Sequence, residues 1–275
     1  MPGPSAEPMS TGNMMNLHII FDLIRREVAG RYRGSAFGLL WSLLNPLFML
    51  AVYTFVFGVV MKSRWTIPDQ QSATHSTGEF AVILFCGLIV FQFFAEVVSL
   101  SPSLIVANVN YVKRIVFPIQ ILPVVSVGAA LFHAAVSLLV LLVFAYVVFG
   151  TIPLTVVLAP LVFAPLMILV LGIAWVLASI GVYFRDMSQI VAPLVSAILF
   201  LSPVFFQRTV LPAWLQPWLS LNPLAIPVEN FRDVVIFGVL PDWRSLGYYS
   251  CAALVVACLG YRFFQKTRRG FADVL

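Results

Sequence analysis

Long runs of apolar residues follow one another along the chain after a polar opening. A helix that crosses a bilayer needs about 20 predominantly apolar residues. Six runs meet or approach that length: Phe37–Val60, Phe80–Leu100, about Ile119–Phe149, about Leu154–Tyr183, the shorter Ile190–Phe206, and Leu246–Phe264. The pattern predicts an all-α integral membrane protein with six transmembrane helices. We expect the third and fourth runs, which exceed the minimum length, to tilt, to bend at Pro123, Pro160 or Pro165, or to extend beyond the lipid.

A segment with helical periodicity precedes the first run. Its apolar residues recur three or four positions apart and form one stripe, made of Leu17, Phe21, Ile24, Val28 and Tyr32. Charged residues lie away from that stripe, at Asp22, Arg25, Arg26 and Arg33. The pattern predicts an amphipathic helix over residues 17–36 that lies flat on the inner membrane surface.

This segment has two open interpretations, a topology anchor or a docking surface for a cytoplasmic partner. Arg31 falls beside the apolar stripe, and we expect its side chain to snorkel to lipid phosphate. Residues 1–16 are polar and contain Pro2, Pro4 and Pro8, without the apolar stretch of a signal peptide. We expect them to form a disordered lead.

The stretch between the fifth and sixth runs is apolar but is interrupted by prolines, at Pro212, Pro217, Pro223 and Pro227. A plain external loop would be more polar. The stretch has room for two short helices that dip into the outer leaflet and return, and a folded interfacial loop is the alternative.

Composition places the chain in a membrane, and the distribution of charge orients it. Hydrophobic residues make up 61% of the chain and charged residues 10%, whereas a soluble domain is roughly 45–50% apolar and 25% charged. With the N-terminus in the cytoplasm, the outer side holds five basic residues, Lys62, Arg64, Arg208, Arg232 and Arg244. The inner side then holds eleven, Arg25, Arg26, Arg31, Arg33, Lys113, Arg114, Arg185, Arg262, Lys266, Arg268 and Arg269. This asymmetry predicts that both termini are cytoplasmic, and basic residues placed beside apolar runs do not indicate a nucleic-acid partner.

The sequence lacks the motifs that would make this chain an enzyme. No Gly–Lys pair exists, so the phosphate-binding GxxxxGK[ST] loop is absent, as are HExxH and GxSxG. We therefore expect no catalytic residue, no metal site and no bound cofactor, and energy has to come from a partner. Glu96 lies near the inner end of the second run, where it can reach headgroup water, and is interpreted as a structural or interfacial residue. His133, inside the third run, is interpreted as a hydrogen-bonded packing residue. Gly34 and Gly38 form a GxxxG motif, a spacing that can bring helices close together.

Four sequence strings, in order, carry a resemblance to a known family. LIRREVAGRYRGSAFGLLWSLLNPLFMLAVYTFVFGVV (residues 23–60) resembles the start of permease subunits of type-2 ABC exporters that move O-antigens, capsules and teichoic acids. NVNYVKRIVFPIQILP (108–123) is similar to that family's cytoplasmic segment between spans two and three. GVYFRDMSQIV (181–191) resembles its turn between spans four and five, and LNPLAIPVENFRDVVIFG (221–238) resembles its external segment before the last span.

The resemblance implies an assembly in which this chain is the transport subunit and not the ATPase. Residues 37–264 would form the six-span domain and 265–275 a cytoplasmic tail, in a homodimer bound to two copies of a separate ABC ATPase subunit that holds ATP and Mg. A lipid-linked polysaccharide would cross the cytoplasmic (inner) membrane through a channel at the homodimer interface. The resemblance assigns ATPase coupling to Asp22, Arg25, Arg26, Arg33, Asn108, Lys113 and Arg114. The translocation path would include Trp41, Tyr53, Phe57, Phe200 and Phe205, and the external gate Trp214, Trp218 and Glu229.

Two further kinds of function stay open at the level of sequence. A type-2 ABC exporter of lipids or drugs would share the topology but would need no path for a long polymer. A membrane-embedded transferase of polyprenyl-linked sugars would need acidic residues or a metal at the membrane surface. Its nearest candidates, Asp186 and Glu229, fall on opposite sides of the membrane in the predicted topology. A passive channel is disfavoured because rings of pore-lining charge are absent.

Overall fold

The computed structural model describes residues 10–60, 77–109, 118–208, 212, 214, 216–219 and 222–275. These residues form α-helices joined by turns and short 3₁₀ or π segments, and none of them is in a β-strand. The helices are α1 (Ser10–Arg31), α2 (Trp41–Tyr53), α3 (Thr77–Leu100), α4 (Leu104–Ala107), α5 (Ile121–Phe149), α6 (Ala159–Tyr183), α7 (Met187–Leu201), α8 (Gln216–Leu219), α9 (Ala225–Arg232), α10 (Trp243–Thr267) and α11 (Phe271–Val274). The all-α class predicted from the sequence is confirmed.

In the described part of the chain, five helical stretches are long and apolar enough to cross a membrane: Gly38–Val56, Gly78–Ala107, Ile121–Phe149, Leu154–Tyr183 and Trp243–Gly270. They correspond to the first four predicted runs and the sixth. The fifth run forms α7, an apolar helix of 15 residues, which is shorter than a full span. The count of six spans therefore stays a prediction.

Some prolines of these helices lie in the first turn, and others lie in the helix interior. Pro123 and Pro160 lie in the first turns of α5 and α6, where a missing backbone N–H leaves no hydrogen bond unmade. Pro165 lies inside α6, as do Pro46 in α2 and Pro193 in α7. Pro165 is the one of the three prolines that lies in a helix interior, and bending stays one of the options for the two long helices.

α3 forms the centre of the molecule and packs against α5, α6, α7 and α9. Within its most apolar 18-residue window, 83% of the residues are buried, whereas the figure for the Gly38–Val56 stretch is 6%. α6 and α10 pack closely where Gly260 faces the backbone of Gly172, because a Cβ atom at Gly260 would lie 2.3 Å from the Gly172 carbonyl oxygen. Small residues allow such close helix contacts in membranes.

α1 lies along α5, with the Ile24 side chain against Gly128. The predicted stripe is buried at Val28 and half-buried at Ile24 and Tyr32, but Phe21 is 68% exposed. The helix begins at Ser10, so residues 10–16, predicted as a disordered lead, belong to it. Its flat position on a membrane stays a prediction.

Gly34 and Gly38 lie in the turn between α1 and α2, with φ angles of +85° and +50°. Such angles favour glycine because it has no Cβ atom. No other part of the described structure comes within 4 Å of a Cβ built at either position. Within one copy these glycines shape a turn, and their role in helix packing stays a prediction.

Candidate functional site

Three charged or titratable side chains from separate helices meet where α1, α3 and α5 come together. Arg31, at the end of α1, forms an ion pair with Glu96 of α3. Nδ1 of His133, on α5, lies 2.9 Å from Oε1 of Glu96 and 3.1 Å from Nη1 of Arg31. The Tyr32 hydroxyl lies 3.3 Å from Nε2 of the same imidazole. The structure therefore gives His133 the hydrogen-bonded role that the sequence predicted, and it places Glu96 in the same cluster.

The cluster also changes the interpretation of Arg31. Its side chain was expected to reach lipid phosphate, but it pairs with Glu96 instead. The Glu96 and His133 side chains are 16% and 15% exposed, and that of Arg31 is 49% exposed. A carboxylate in an apolar environment is costly unless it is paired, so Arg31 supplies the counter-charge that Glu96 requires.

Two cavities border this Arg31–Glu96–His133 cluster. One of them, of about 340 Å³, lies between α2, α3 and α5. Its polar lining consists of Arg31, Tyr32, Ser42, Asn45, Tyr53, Gln92, Glu96, His133 and Ser137. The second cavity, of about 350 Å³, reaches the cluster from the side of α1 and includes Glu27 and Ser126.

The aromatic residues predicted to line a translocation path fall at several places. Tyr53 lines the cavity between α2, α3 and α5. Trp41 is 38% exposed and packs edge-to-face on Phe37. Phe200, which is 70% exposed, stacks on Phe205 with ring centroids 5.9 Å apart. The side chain of Phe57 lies outside the described part of the chain.

The residues predicted to couple to an ATPase divide into an exposed group and a structural one. Asp22, Arg25, Arg26 and Arg33 are all exposed, on α1 and on the turn that follows it. Asn108 is half-buried and donates a hydrogen bond from Nδ2 to the Leu104 carbonyl oxygen at 2.9 Å, which stabilises the end of α4. Lys113 and Arg114 lie outside the described residues.

Two short helices, α8 and α9, occupy the stretch between the fifth and sixth runs. On α9, a carboxylate oxygen of Glu229 lies 3.8 Å from Nη1 of Arg208. Trp214 is 72% exposed, and the side chain of Trp218 is outside the described part of the chain. Val228 and Phe231 are buried, so α9 is packed into the protein. Its re-entrant path through a leaflet stays a prediction.

Arg232 is the residue of this stretch that the sequence analysis missed. Sequence reasoning counted it as an exposed external charge, yet its side chain is buried, with the residue 3% exposed. Its guanidinium donates to the carbonyl oxygens of Ile83 (3.0 Å), Val204 (2.6 Å) and Pro203. The signal was its position in the string FRDVVIF, where Arg232 and Asp233 are the only charged residues among apolar ones, because a charge inside such a string needs buried partners.

Comparisons with known proteins agree along almost the whole chain. The family described as ABC-2 type transporter matches residues 20–236. The chain is 27% identical over 273 residues to the O-antigen export system permease protein RfbA of Klebsiella pneumoniae, which covers 97% of this chain and 100% of that relative. It is 30% identical over 258 residues to the protein of the same name from Myxococcus xanthus, covering 93% of this chain and 94% of the relative. It is also 28% identical over 253 residues to the polysialic acid transport protein KpsM of Escherichia coli, covering 88% of this chain and 91% of that relative.

Proposed function

The chain belongs to the ABC-2 type transporter family as a permease subunit, and we propose that it exports a lipid-linked polysaccharide of the O-antigen kind across the cytoplasmic membrane. The observation that carries this proposal is end-to-end similarity to relatives that are named for O-antigen export and polysialic acid transport. An exporter of free lipids or drugs would share the topology, so the nature of the cargo is the part that an experiment has to test.

A separate ABC ATPase subunit supplies the energy in this proposal. It docks on the exposed charges of α1, Asp22, Arg25, Arg26 and Arg33, and on the segment that contains Asn108, Lys113 and Arg114. The support for α1 is that its charged face is exposed while the opposite face packs on α5. Motion of α1 would reach α3 and α5 through the Arg31–Glu96–His133 cluster, because Arg31 belongs to α1 and its partners do not.

A homodimer would form the polymer path between α2 and α7 of the two copies. These helices leave much of their apolar surface uncovered within one copy: Phe48 lies on α2 and Phe55 just after it, and Leu194 and Phe200 lie on α7. Lipid or a second copy has to cover such surface. The aromatic rings at Trp41, Tyr53, Phe57, Phe200 and Phe205 would pack against the C–H faces of sugar rings without binding them tightly, and α8 and α9, with Trp214, Trp218 and Glu229, would close the outer end.

The decisive experiment removes the gene and measures polysaccharide at the cell surface. We expect the deletion strain to retain the polymer inside the cell and the complemented strain to display it. Normal display without the gene would refute polysaccharide export. If the deletion strain instead loses export of a lipid or loses resistance to a drug, the cargo is that lipid or drug.

Coupling to the ATPase is tested with a matched pair of double variants. Lys113→Glu/Arg114→Glu is expected to reduce co-purification of the ATPase subunit, because it reverses charge in the proposed docking segment. Lys266→Glu/Arg269→Glu makes the same change of charge at exposed residues of the C-terminal region and is expected to leave co-purification intact. Equal effects of the two variants would remove Lys113 and Arg114 from the docking surface.

A further inference from the structure

The cavity between α2, α3 and α5 presents hydrogen-bonding groups from three helices whose residues are mostly apolar. Its volume of about 340 Å³ falls at the lower end of the range for small-ligand sites, roughly 300–1,000 Å³. The lining comes from three helices that pack on one another. A space of this size admits a single sugar unit more readily than a folded segment of polymer.

Gln92 is the exposed residue among those of α3 that line this cavity. All the other residues from Phe80 to Val98 are buried or half-buried. Its carboxamide has two N–H donors and a carbonyl acceptor. None of them makes a hydrogen bond within the described part of the chain. A polar group at this place in a membrane protein needs water or a ligand, because lipid offers no partner.

Asn45 presents a second carboxamide from the opposite wall. It lies on α2, is exposed, lines the same cavity, and has no hydrogen-bonding partner among the described residues. Two amide side chains, each from a different helix, therefore face one cavity with donors and acceptors that no described residue pairs. Packing alone does not explain either side chain.

The electrostatics of the cavity favour a neutral, hydroxyl-rich ligand. The two charges in its lining, on Arg31 and Glu96, pair with each other. The imidazole of His133 also lines the cavity, and its two nitrogens face Glu96, Arg31 and Tyr32. The remaining polar groups are amides and hydroxyls, which donate to and accept from sugar hydroxyls. An inorganic ion would find no unpaired opposite charge here. The ring of Tyr53 adds an aromatic face on which the C–H groups of a sugar can pack.

We propose that this cavity binds one sugar unit of the exported polymer, with Gln92 and Asn45 hydrogen-bonding its hydroxyl groups and Tyr53 packing against its ring. The proposal rests on the proposed export function and deepens it. It adds α3 to the helices that contact the substrate, beside the residues of α2 that line the same cavity.

Site-specific photocrosslinking tests the contact in the intact transporter. A benzoylphenylalanine replaces Gln92 in the full-length protein, in cells that make the surface polysaccharide and in matched cells that cannot make it. A second protein carries the same residue at Val143, which is 68% exposed on α5 and does not line the cavity. We expect a carbohydrate-bearing adduct at position 92 only in the polymer-producing cells, and none at position 143. Adducts at position 92 only with lipid or with a second copy of this chain would overturn the proposal.

Smaller substitutions keep the test decisive if the photoreactive side chain disturbs folding. Gln92→Leu and Asn45→Leu should each lower surface polymer per assembled transporter by about fivefold, the effect of losing one net hydrogen bond, and the double variant should lower it further. Ser99→Leu, two turns along α3 from Gln92 and outside the cavity lining, should leave export unchanged. Full export from the double leucine variant would overturn the site. The gene deletion separates the two failures, because the export function stands if deletion abolishes display while these variants do not reduce it.

Discussion

A single guanidinium, that of Arg232, joins three parts of the molecule. It extends from α9 to the carbonyl oxygen of Ile83 in α3 and to those of Pro203 and Val204 after α7. Gly87 makes room for it, because a Cβ atom there would lie 2.4 Å from Nη2 of Arg232. Hydrogen bonds from a charged donor are stronger than neutral ones, so this residue fixes the position of α9 against the central helix.

Replacing Arg232 by lysine should destabilise the protein although the charge is kept. One ammonium group cannot reproduce the planar fork that serves three carbonyl oxygens, and each hydrogen bond lost from a charged group costs about 1.5–3 kcal/mol. Thermal unfolding in lipid nanodiscs measures the effect as a lower Tm. Arg244→Lys, at an exposed position of α10, is the control and should leave Tm unchanged. Equal Tm values for the two variants would contradict a structural role for Arg232.

The sequence predicted a hydrogen-bonded role for His133 and a structural or interfacial role for Glu96, but it did not predict their partners. Arg31 lies 65 residues from Glu96 along the chain, and His133 lies 37 residues from it. Helical periodicity relates residues within one segment, and it gives no information about which segments touch. The cluster depends on the packing of α1, α3 and α5 on one another, and the cavity beside it on the packing of α2, α3 and α5.

At the scale of elements, α6 and α10 form a tightly packed pair. A Cβ atom at Gly172 would lie 2.7 Å from the backbone of Ala257, and one at Gly260 would lie 2.3 Å from the Gly172 carbonyl oxygen. Backbone atoms cannot move aside as a flexible side chain can. The two helices therefore behave as one unit whose separation is set by two glycines.

Gly260→Ala should push α10 away from α6 and destabilise the protein by about 1–3 kcal/mol, the usual cost of overpacking. Gly247 lies in the same helix with nothing within 4 Å of an added Cβ atom. Gly247→Ala should be neutral or stabilising, because alanine is the better helix former by roughly 1 kcal/mol. Thermal unfolding of both variants in nanodiscs gives the comparison, and a Gly260→Ala protein as stable as Gly247→Ala would disprove the close contact.

The observed helix ends agree with the predicted ones where the apolar run itself stops. They differ where a proline or a helix-capping side chain sets the end of the helix. The third and fourth runs match Ile121–Phe149 and Leu154–Tyr183 closely. The fifth ends early because Pro203 disfavours helical geometry at Ser202, which is extended with φ −92° and ψ 152°. The sixth begins early because the Asp242 side chain caps α10 by accepting from the Arg244 backbone N–H. Hydrogen bonds from Ser245 and from the backbone also lower the pKa of the Asp242 carboxyl.

At the scale of the whole molecule, burial is uneven between the centre and the edge. α3 is enclosed by its neighbours, whereas α2 and α7 expose apolar residues such as Phe48, Phe55 and Leu194. A helix that faces protein and a helix that faces lipid are both apolar. The sequence therefore predicted the spans but not which of them are enclosed and which are exposed. The exposed helices are the ones available to a second copy.

Orientation is a prediction of the charge distribution that labelling can check. In a protein without native cysteines, a single cysteine within residues 66–78 should react with a membrane-impermeant thiol reagent added to intact cells. A single cysteine after Arg269 should react only after the membrane is opened, because the excess of basic residues holds that end inside. The opposite pattern would invert the topology and move the proposed ATPase surface to the outside.

The pairing of Arg31 with Glu96 has a consequence for how the second span inserts into the membrane during synthesis. Because the chain is made from its N-terminus, Arg31 is synthesised before Glu96, and His133 after it. The carboxylate of the second span can therefore meet a counter-charge as soon as it enters the membrane. A carboxylate inserted alone near a span centre costs roughly 2.5–3.5 kcal/mol. In nascent chains truncated before His133, Arg31→Leu should therefore lower the fraction of second spans that integrate, measured by glycan tags on the flanking loop. Arg33→Leu removes the same charge from an exposed position and should lower it less; equal fractions would mean that the pair forms only after insertion.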